Sequence, residues 1–403
     1  MAENKQNEYP NVPPLRFPGF SEPWERKKLS CFLYENKERN KTDFFSKEDV
    51  LSVSGDLGIV NQIELLGRSF AGKSVKDYHV VRNGNIVYTK SPLKEYPYGI
   101  IKYNRGIDGI VSTLYAVYHV LDNADGRFIE FYFSDKGRIN RYLKPIVRIG
   151  AKHDMKIGNE EVLDNYVVMP SLVEQDKIAT FIELLNKRIA VQSKLIEQLE
   201  SLMGGIMVAH YNKCEKQVVQ IKELGDYFTV MSLSKDDLTD KGYACVLYGE
   251  LFTTYHCIIC EVKSKTNLTS GLTLSQSNDL LFPSSTTVDA VSLIAPSAIT
   301  IPDVVLGGDM FGLHINGRHS NVYLAFLFNY ILKQRLAKYA QGSTIIHLHY
   351  KDIRNAKIEV PNLTDQLIFV ELSSKVQQKI NTENSMLANL QALKSYLLQQ
   401  MFI

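Results

Sequence analysis

The sequence predicts an α+β protein: two mixed α/β domains separated by two long antiparallel coiled-coil helices, related by an internal pseudo-two-fold repeat. Three observations predict it. The chain repeats itself: Pro170, Leu172 and Gln175 recur as Pro361, Leu363 and Gln366 at an offset of 191, which also lays Ile189, Leu199 and Leu202 on Ile380, Leu390 and Leu393. A related offset of 195 places Phe128-Ile-Glu-Phe-Tyr-Phe133 on Tyr323-Leu-Ala-Phe-Leu-Phe328, and Lys27-Lys-Leu29 on Lys222-Glu-Leu224. Solenoid repeats run about 20–50 residues, so this is a duplication of whole domains. Short Val-, Ile-, Tyr- and Phe-rich runs between turn residues fill each domain, and a heptad stripe follows each.

Residues 1–23 are proline-rich and polar and read as an extended leader ending before Trp24. The first domain is expected over 1–169, leader included. Its strands include Tyr78-His-Val-Val81, Ile86-Val-Tyr88 after the turn Asn83-Gly84, and Gly109-Ile-Val-Ser112. Tyr166-Val-Val-Met-Pro170 closes it. The first long helix is expected over 170–207, with Gly204-Gly205 able to fray or end it. The second domain, over 208–360, repeats the grammar in Tyr243-Ala-Cys-Val-Leu-Tyr248, Asp279-Leu-Leu-Phe282 and Asp303-Val-Val-Leu-Gly-Gly308, and closes at Lys357-Ile-Glu-Val-Pro361. Helices interrupt the strands near 125–145 and 320–340. The second long helix takes 361–403.

Written in sevens, the first helix has Ile178, Leu185, Gln192, Leu199 and Ile206 at a, Phe181, Arg188, Leu195 and Leu202 at d, and Ile182, Ile189, Ile196 and Met203 at e. The second has Phe369, Val376, Glu383, Leu390 and Leu397 at a, and Leu372, Lys379, Met386 and Leu393 at d. Four heptads of apolar stripe describe a seam. Both stripes break at the same height, at Arg188 with Gln192 and at Lys379 with Glu383. These four are candidates for fixing helix register or docking a subunit; the alternative is that they only skirt the seam.

Composition narrows the function classes. With 403 residues, 45% hydrophobic and 22% charged, the chain has the make-up of an ordinary globular protein of two to three domains. The absence of a long apolar run or a signal-like h-region leads to an expected cytoplasmic location without membrane contact. Five cysteines do not suggest a disulfide framework. The net charge of +2 is uninformative, but its distribution is not. Arg68, Lys73, Lys76, Arg82, Lys90, Lys94, Lys102 and Arg105 crowd one segment; Lys136, Arg138, Arg141, Lys144, Arg148, Lys152 and Lys156, against Asp135 and Asp154, crowd another. Lys333, Arg335, Lys338, Lys351, Arg354 and Lys357 do so in the second domain. Such clusters fit phosphate contacts, or simply a solvated charged face.

Catalytic motifs fare poorly. Gly67-Arg-Ser-Phe-Ala-Gly72-Lys73-Ser74 has P-loop spacing, but Val75 onward reads as a strand where a P-loop needs a helix. Cys257-Ile-Ile-Cys260 beside His256 lacks a turn between its cysteines and a second pair to complete a zinc site, so no metal is expected. Asn11-Val-Pro-Pro-Leu15 only echoes a methyltransferase motif, with the wrong spacing. No catalytic residue is assigned.

The order of domain, helix, domain, helix resembles the specificity subunit of type I restriction–modification systems. So do Pro10-Asn-Val-Pro-Pro-Leu-Arg-Phe-Pro-Gly-Phe20 with Trp24, Lys28 and Leu29, the segments Tyr248-Gly-Glu-Leu251 and Gly109-Ile-Val-Ser112, and the paired Pro-x-Leu-x-x-Gln phrases. The resemblance implies two target-recognition domains, each reading half of a split, asymmetric site in double-stranded DNA. It implies helices that hold the domains apart and dock two modification (methyltransferase) subunits. Restriction (translocase/endonuclease) subunits would complete a type I deoxyribonuclease and adenine methyltransferase. The chain itself would bind no cofactor, while partners use S-adenosylmethionine, ATP and Mg2+. Candidate DNA contacts are Arg68, Lys73, Lys90, Lys102 and Arg105 in the first domain, and Lys263, Lys265, Ser284, Thr286 and Arg318 in the second. Two alternatives stand beside this: a nucleotide-binding enzyme using the Gly67–Ser74 loop, and a coiled-coil protein adaptor without DNA binding.

Overall fold

A computed structural model describes residues 11–93, 95–149, 155–268 and 270–403. Pro10 of the leader, with residues 1–9, and Lys94, Lys152 and Asp154 of the basic segments lie outside them. The chain divides into two compact units, Met1–Gln192 with Met386–Ile403, and Ser193–Ser385. The division falls within the long helices rather than at the ends of the domains expected from sequence.

In the first unit, strand Glu25–Lys28 pairs antiparallel with Tyr166–Met169, so the first and last strands of the head are zipped together. A single turn, Leu29–Cys31, follows, anchored by the Leu29 N–H on the Asn165 carbonyl at 3.0 Å. The main sheet runs in the order Leu33–Glu35, Tyr115–Val120, Ile86–Thr89, Ile101–Tyr103, all antiparallel. Helices Gly126–Tyr132 and Lys136–Leu143 pack on it, each started by an aspartate, Asp125 or Asp135, whose carboxylate accepts the first free N–H groups. The core joins Trp24 to Phe128 and Phe402 in edge-to-face contacts, with Ile178 and Ile182 of the first long helix and Leu397 and Met401 of the second. Fully burying such side chains is worth about 1.5–3 kcal/mol each. Arg138, counted as basic surface from sequence, is buried here: it donates to the carbonyls of Ile403 and Tyr132 and lies over the Tyr132 and Phe402 rings.

The second unit repeats the plan. Strand Lys216–Gln220 pairs with Lys357–Pro361, and the turn Ile221–Glu223 follows, with the Ile221 N–H on the Ala356 carbonyl at 3.1 Å. Ile221, not Leu224, therefore matches Leu29; the sequence pairing of Lys27-Lys-Leu29 with Lys222-Glu-Leu224 is three residues out. Lysine–leucine likeness misled there, whereas the turn position fixes the match. The main sheet has the same order, Gly225–Thr229, Met310–Ile315, Asp279–Pro283, Ser297–Ile299, plus an edge strand Ile258–Ile259.

The duplicated Pro-x-Leu-x-x-Gln phrase does the same work twice. Gln175 Nε2 donates to the Pro170 carbonyl at 2.9 Å, and its Oε1 accepts the N–H of Asp125 at 2.9 Å. Gln366 Nε2 donates to the Pro361 carbonyl and its Oε1 accepts the N–H of Ser320, both at 2.8 Å. Each glutamine is fully buried and ties the start of a long helix to the N-cap of the head's first packing helix.

The first long helix spans Leu172–Lys213, past the expected end at 207, and Gly204-Gly205 does not break it. A Cβ on Gly204 would stand 3.0 Å from the Tyr330 ring, so the glycine admits a close neighbour. The second spans Leu363–Gln400. Within the first unit they run antiparallel: Arg188 Nη2 reaches Met386 Sδ at 3.6 Å while Ile178 and Ile182 share a core with Leu397 and Met401. In the second unit the His210 ring near the end of one lies 5.4 Å from Phe369 at the start of the other.

The buried seam uses the a and e rows of the stripe and not its d row. The buried positions are a and e: Ile178, Ile182, Gln192, Ile196 and Met203 on the first helix, Phe369, Ser373, Ile380, Glu383, Leu397 and Met401 on the second. At d, Phe181, Arg188, Leu202, Leu372, Lys379, Met386 and Leu393 are exposed. The helices turn their a/e edge toward the units' cores, which leaves the d row open. Arg188 and Lys379 are thus surface residues, Lys379 paired with Glu383 one turn on, and only Gln192 and Glu383 are buried. 

Candidate nucleic-acid interface

Register places the candidates at two different ends of the heads. In the first head Thr89 lies opposite Tyr115, and the Lys90 N–H donates to the Leu114 carbonyl at 2.9 Å, so Lys90 leaves the sheet at the end away from its packing helices. In the second head Pro283 lies opposite Met310, and the Ser284 N–H donates to the Asp309 carbonyl at 2.8 Å. Lys90 and Ser284 thus occupy the same topological position. The two heads present different chemistry there.

Around Lys90 the charge is concentrated. His79, whose strand pairs with Gly109–Val111, is buried, and burial together with the charges of Arg39 and Lys90 lowers its pKa to about 4. It stays a neutral imidazole between two cations at physiological pH. Lys90 is half-buried; burial lowers its pKa, with Glu35 opposing and Arg39 assisting. Arg39 was not singled out from sequence, because nothing local distinguishes it.

The Gly67–Ser74 loop is exposed and is no phosphate-binding P-loop. Gly67 ends the short helix Gln62–Leu66 at φ 73°, and no helix starts at Lys73-Ser74; the chain turns at Val75 into strand His79–Val81. The loop is nonetheless ordered by its own bonds: the Phe70 N–H donates to Gln62 Oε1 at 2.6 Å and the Ala71 N–H to Ser69 Oγ at 3.3 Å. Ala71 packs on the small core of Phe45, Val50, Val75, Val80 and Ile110. Phe70 is held outward, 58% exposed, with the Arg68 guanidinium 4.5 Å above its ring. Lys73 is exposed. The aromatic between two cations is the feature that sequence reading passed over.

Lys102 and Arg105 face the other way, into a cleft of about 840 Å3 in the first unit that Glu130, Glu183, Lys187 and Lys394 also line. Arg105 pairs with Glu130 and, at 2.9 Å, with Glu183; Lys102 Nζ lies 3.5 Å from Glu130. Their charges are matched by carboxylates within the unit. Lys76 and Arg82 are likewise paired, with Asp43 and with Glu38 and Asp108.

In the second head, Lys263 and Lys265 are exposed at the strand Ser264–Thr266, beside the long strand Leu238–Leu247 with its exposed Tyr243. Arg318 is exposed but sits beyond Ile315, at the opposite end of the sheet from Ser284. Ser284 is buried, and its backbone bridges Asp309 and Leu348. Thr286 is half-buried, its hydroxyl accepting the Val288 N–H at 3.2 Å. Strand Ser285–Thr286 pairs with Ile346–His347, which displays the exposed tip Gln341-Gly-Ser-Thr-Ile345. Gly342 has φ 126°, and a Cβ there would stand 2.0 Å from the Ile345 carbonyl, so the tip requires glycine. Its Gly-Ser-Thr run was the available signal.

Among the described residues no group of three or more His, Cys, Asp and Glu could hold a metal. Cys257 is buried, its thiol pushed up to about 12 by burial, while Cys260 is exposed across strand Ile258–Ile259. No described helix is long and apolar enough to cross a membrane.

Comparison with known proteins places part of the chain. Residues 214–392 match the type I restriction modification DNA specificity domain. The second head and most of the second long helix carry that domain. A search among curated proteins finds no matching sequence. Over nearly its whole length the chain resembles the type I restriction–modification system S subunit from M. genitalium, at 13% identity and TM-score 0.59, covering 97% of this chain and 99% of that one. It also resembles a chain from work on complex assembly and conformational transition of the type I R-M system, at 16% identity and TM-score 0.51, covering 94% and 97%. Those likenesses establish the fold of both units. The match assigns a DNA specificity domain to residues 214–392, and neither the nucleotide enzyme nor the DNA-free adaptor is supported.

Proposed function

We propose that the chain reads a split, asymmetric DNA site, one half with each head, and carries partner modification and restriction subunits to it. The observation that carries this reading is the pair of heads with one strand order and different chemistry at the same sheet end, Lys90 in one and the polar Gln341–Ile345 tip in the other. Equal scaffolds with unlike tips suit two unlike half-sites. In the first head Arg68, Lys73, Lys90 and Arg39 meet phosphates; in the second, Lys263, Lys265 and the Gln341–Ile345 tip lie against the duplex, its polar side chains suited to base edges. Partner subunits dock on the open d row of the helices. Leu393 in the first unit and Leu202 in the second are exposed on that row, and the exposed Leu184, Val191 and Tyr396 of the first unit and Val208 of the second flank it. The chain binds no cofactor; S-adenosylmethionine, ATP and Mg2+ act on the partners, in the cytoplasm.

The test is reconstitution. Purified alone, the chain transfers no methyl group and cuts no DNA. Combined with its modification subunits, two per chain, it directs adenine methylation to one split sequence, read by mapping methylated sites. Methyl transfer by the single chain would refute the reading.

Lys73 gives a finer test of the exposed loop. Lys73→Ala should weaken DNA binding by the assembled complex on every sequence. It should make the slope of log affinity against log salt shallower by about one unit, with the methylated sequence unchanged. A changed sequence preference would make Lys73 a base reader instead.

A further inference from the structure

In the first unit the opening turns of the long helix are covered by the leader. Arg16 donates from Nε and Nη2 to the two carboxylate oxygens of Glu174, each at 2.7 Å, and Glu174 is 1% exposed. Phe17 meets Phe181 edge-on at 5.5 Å, and Lys177 Nζ lies over the rings of Phe17 and Phe20 at 5.1 and 5.5 Å. The Leu15 N–H donates to the Gln400 carbonyl at 2.9 Å. An extended Leu-Arg-Phe-Pro-Gly-Phe strip thus uses one bidentate ion pair and two rings to cover a helix face.

The offset of 191 places Asp365 where Glu174 stands, Leu367 at Asp176, Ile368 at Lys177 and Leu372 at Phe181. There the acid is kept, but no Lys or Arg among the described residues forms an ion pair with it; its Oδ2 accepts from Asn362 Nδ2 at 2.9 Å, and the His210 imidazole lies within its electrostatic reach, its pKa lowered by burial with Asp365 opposing. The positions around it are more apolar than in the first unit, and Leu367, Ile368 and Leu372 are 52, 55 and 50% exposed. A carboxylate at the edge of an apolar patch repels nucleic acid and invites a cation carried on an apolar strip. The equivalent face of the first helix shows what such a strip looks like.

We propose that the face of the second long helix formed by Asp365, Ile368 and Leu372 docks an extended segment of a partner polypeptide bearing an arginine next to an aromatic residue. The arginine pairs with Asp365 and the aromatic ring lies on Leu372 and Ile368, as Arg16 and Phe17 lie on Glu174 and Phe181. The proposal rests on the docking of partner subunits along the d row, to which Leu372 belongs, but it needs no DNA and stands apart from the reading of half-sites.

The chain's own leader sequence is the probe. A synthetic peptide of residues 11–20 with a photoreactive benzoylphenylalanine replacing Phe17 is mixed with the full-length protein, irradiated, and its adducts mapped by mass spectrometry. Saturable adducts within 363–376 are expected. Binding should weaken about tenfold with Asp365→Asn in the protein, and equally with a peptide carrying Arg16→Ala, which leaves the protein's folding untouched. Three results would overturn the proposal. One is no saturable adduct. Another is adducts confined to 172–185, where the peptide has only displaced the leader. The last is self-association without peptide that Asp365→Asn abolishes, which would give the face to a second copy. DNA binding by the Asp365→Asn protein should be unchanged, so a failure here is distinct from a failure of the DNA reading.

Discussion

Exchanging residues 30–165 for the same segment of a related protein should change one half of the methylated site and leave the other half intact; exchanging 225–355 should do the reverse. The expected effect is a complete switch of one half-site, because each exchanged segment holds a whole main sheet and its tips. The strands Glu25–Lys28 and Tyr166–Met169 that close the first head stay outside the exchange, as do Lys216–Gln220 and Lys357–Pro361 in the second. The buried glutamines Gln175 and Gln366 also stay in place, but each grips a backbone N–H inside the exchanged segment, at Asp125 or Ser320. Since the bond is to backbone, a donor segment needs only a helix N-cap at that point, not a particular side chain. Methylation mapping reads the outcome. A change in both halves after either exchange would show that the heads do not read independently.

The parts of the architecture that depend on local pattern were legible in the sequence. The Pro-x-Leu-x-x-Gln phrases marked both helix starts, and strands such as Ile86–Thr89 and Asp279–Pro283 stood out by composition and flanking turns. What was not legible depended on partners far along the chain. Leu202, Leu372 and Leu393 are apolar at d and were assigned to a seam, yet they are exposed, since only the fold decides which edge of a stripe faces a head. Lys102 and Arg105 looked free because their carboxylates, Glu130 and Glu183, come much later. Ser284 looked like a polar loop residue, but it continues a buried strand. Phe70 and the Gln341–Ile345 tip were overlooked for the opposite reason: an exposed aromatic and a glycine-held polar tip gain meaning only once the surface is known.

Gln175→Ala and Gln366→Ala should be the most damaging single substitutions on the helices, although neither residue is apolar or charged. Each removes at least two bonds at once and strands their partners: the Pro170 carbonyl and Asp125 N–H in one unit, the Pro361 carbonyl, Ser320 N–H and His319 Nδ1 in the other. A buried group left without a partner costs about 1–3 kcal/mol, so each variant should lose roughly 3 kcal/mol or more. Because each glutamine belongs to one compact unit, the loss should be local. Gln175→Ala should expose amides of the first unit to hydrogen exchange at lower denaturant, around Gly126–Tyr132 first, while strands of the second unit keep their protection; Gln366→Ala should do so around Asn321–Leu327. Glutamate is the informative control. Gln175→Glu keeps an acceptor for the Asp125 N–H but loses the donor to Pro170 and buries a carboxylate, so its damage should grow as pH rises and the group ionises. If the alanine variants unfold at the same denaturant concentration as the parent protein, the duplicated phrase is not a latch, and its recurrence would have to be explained by what docks on the helices.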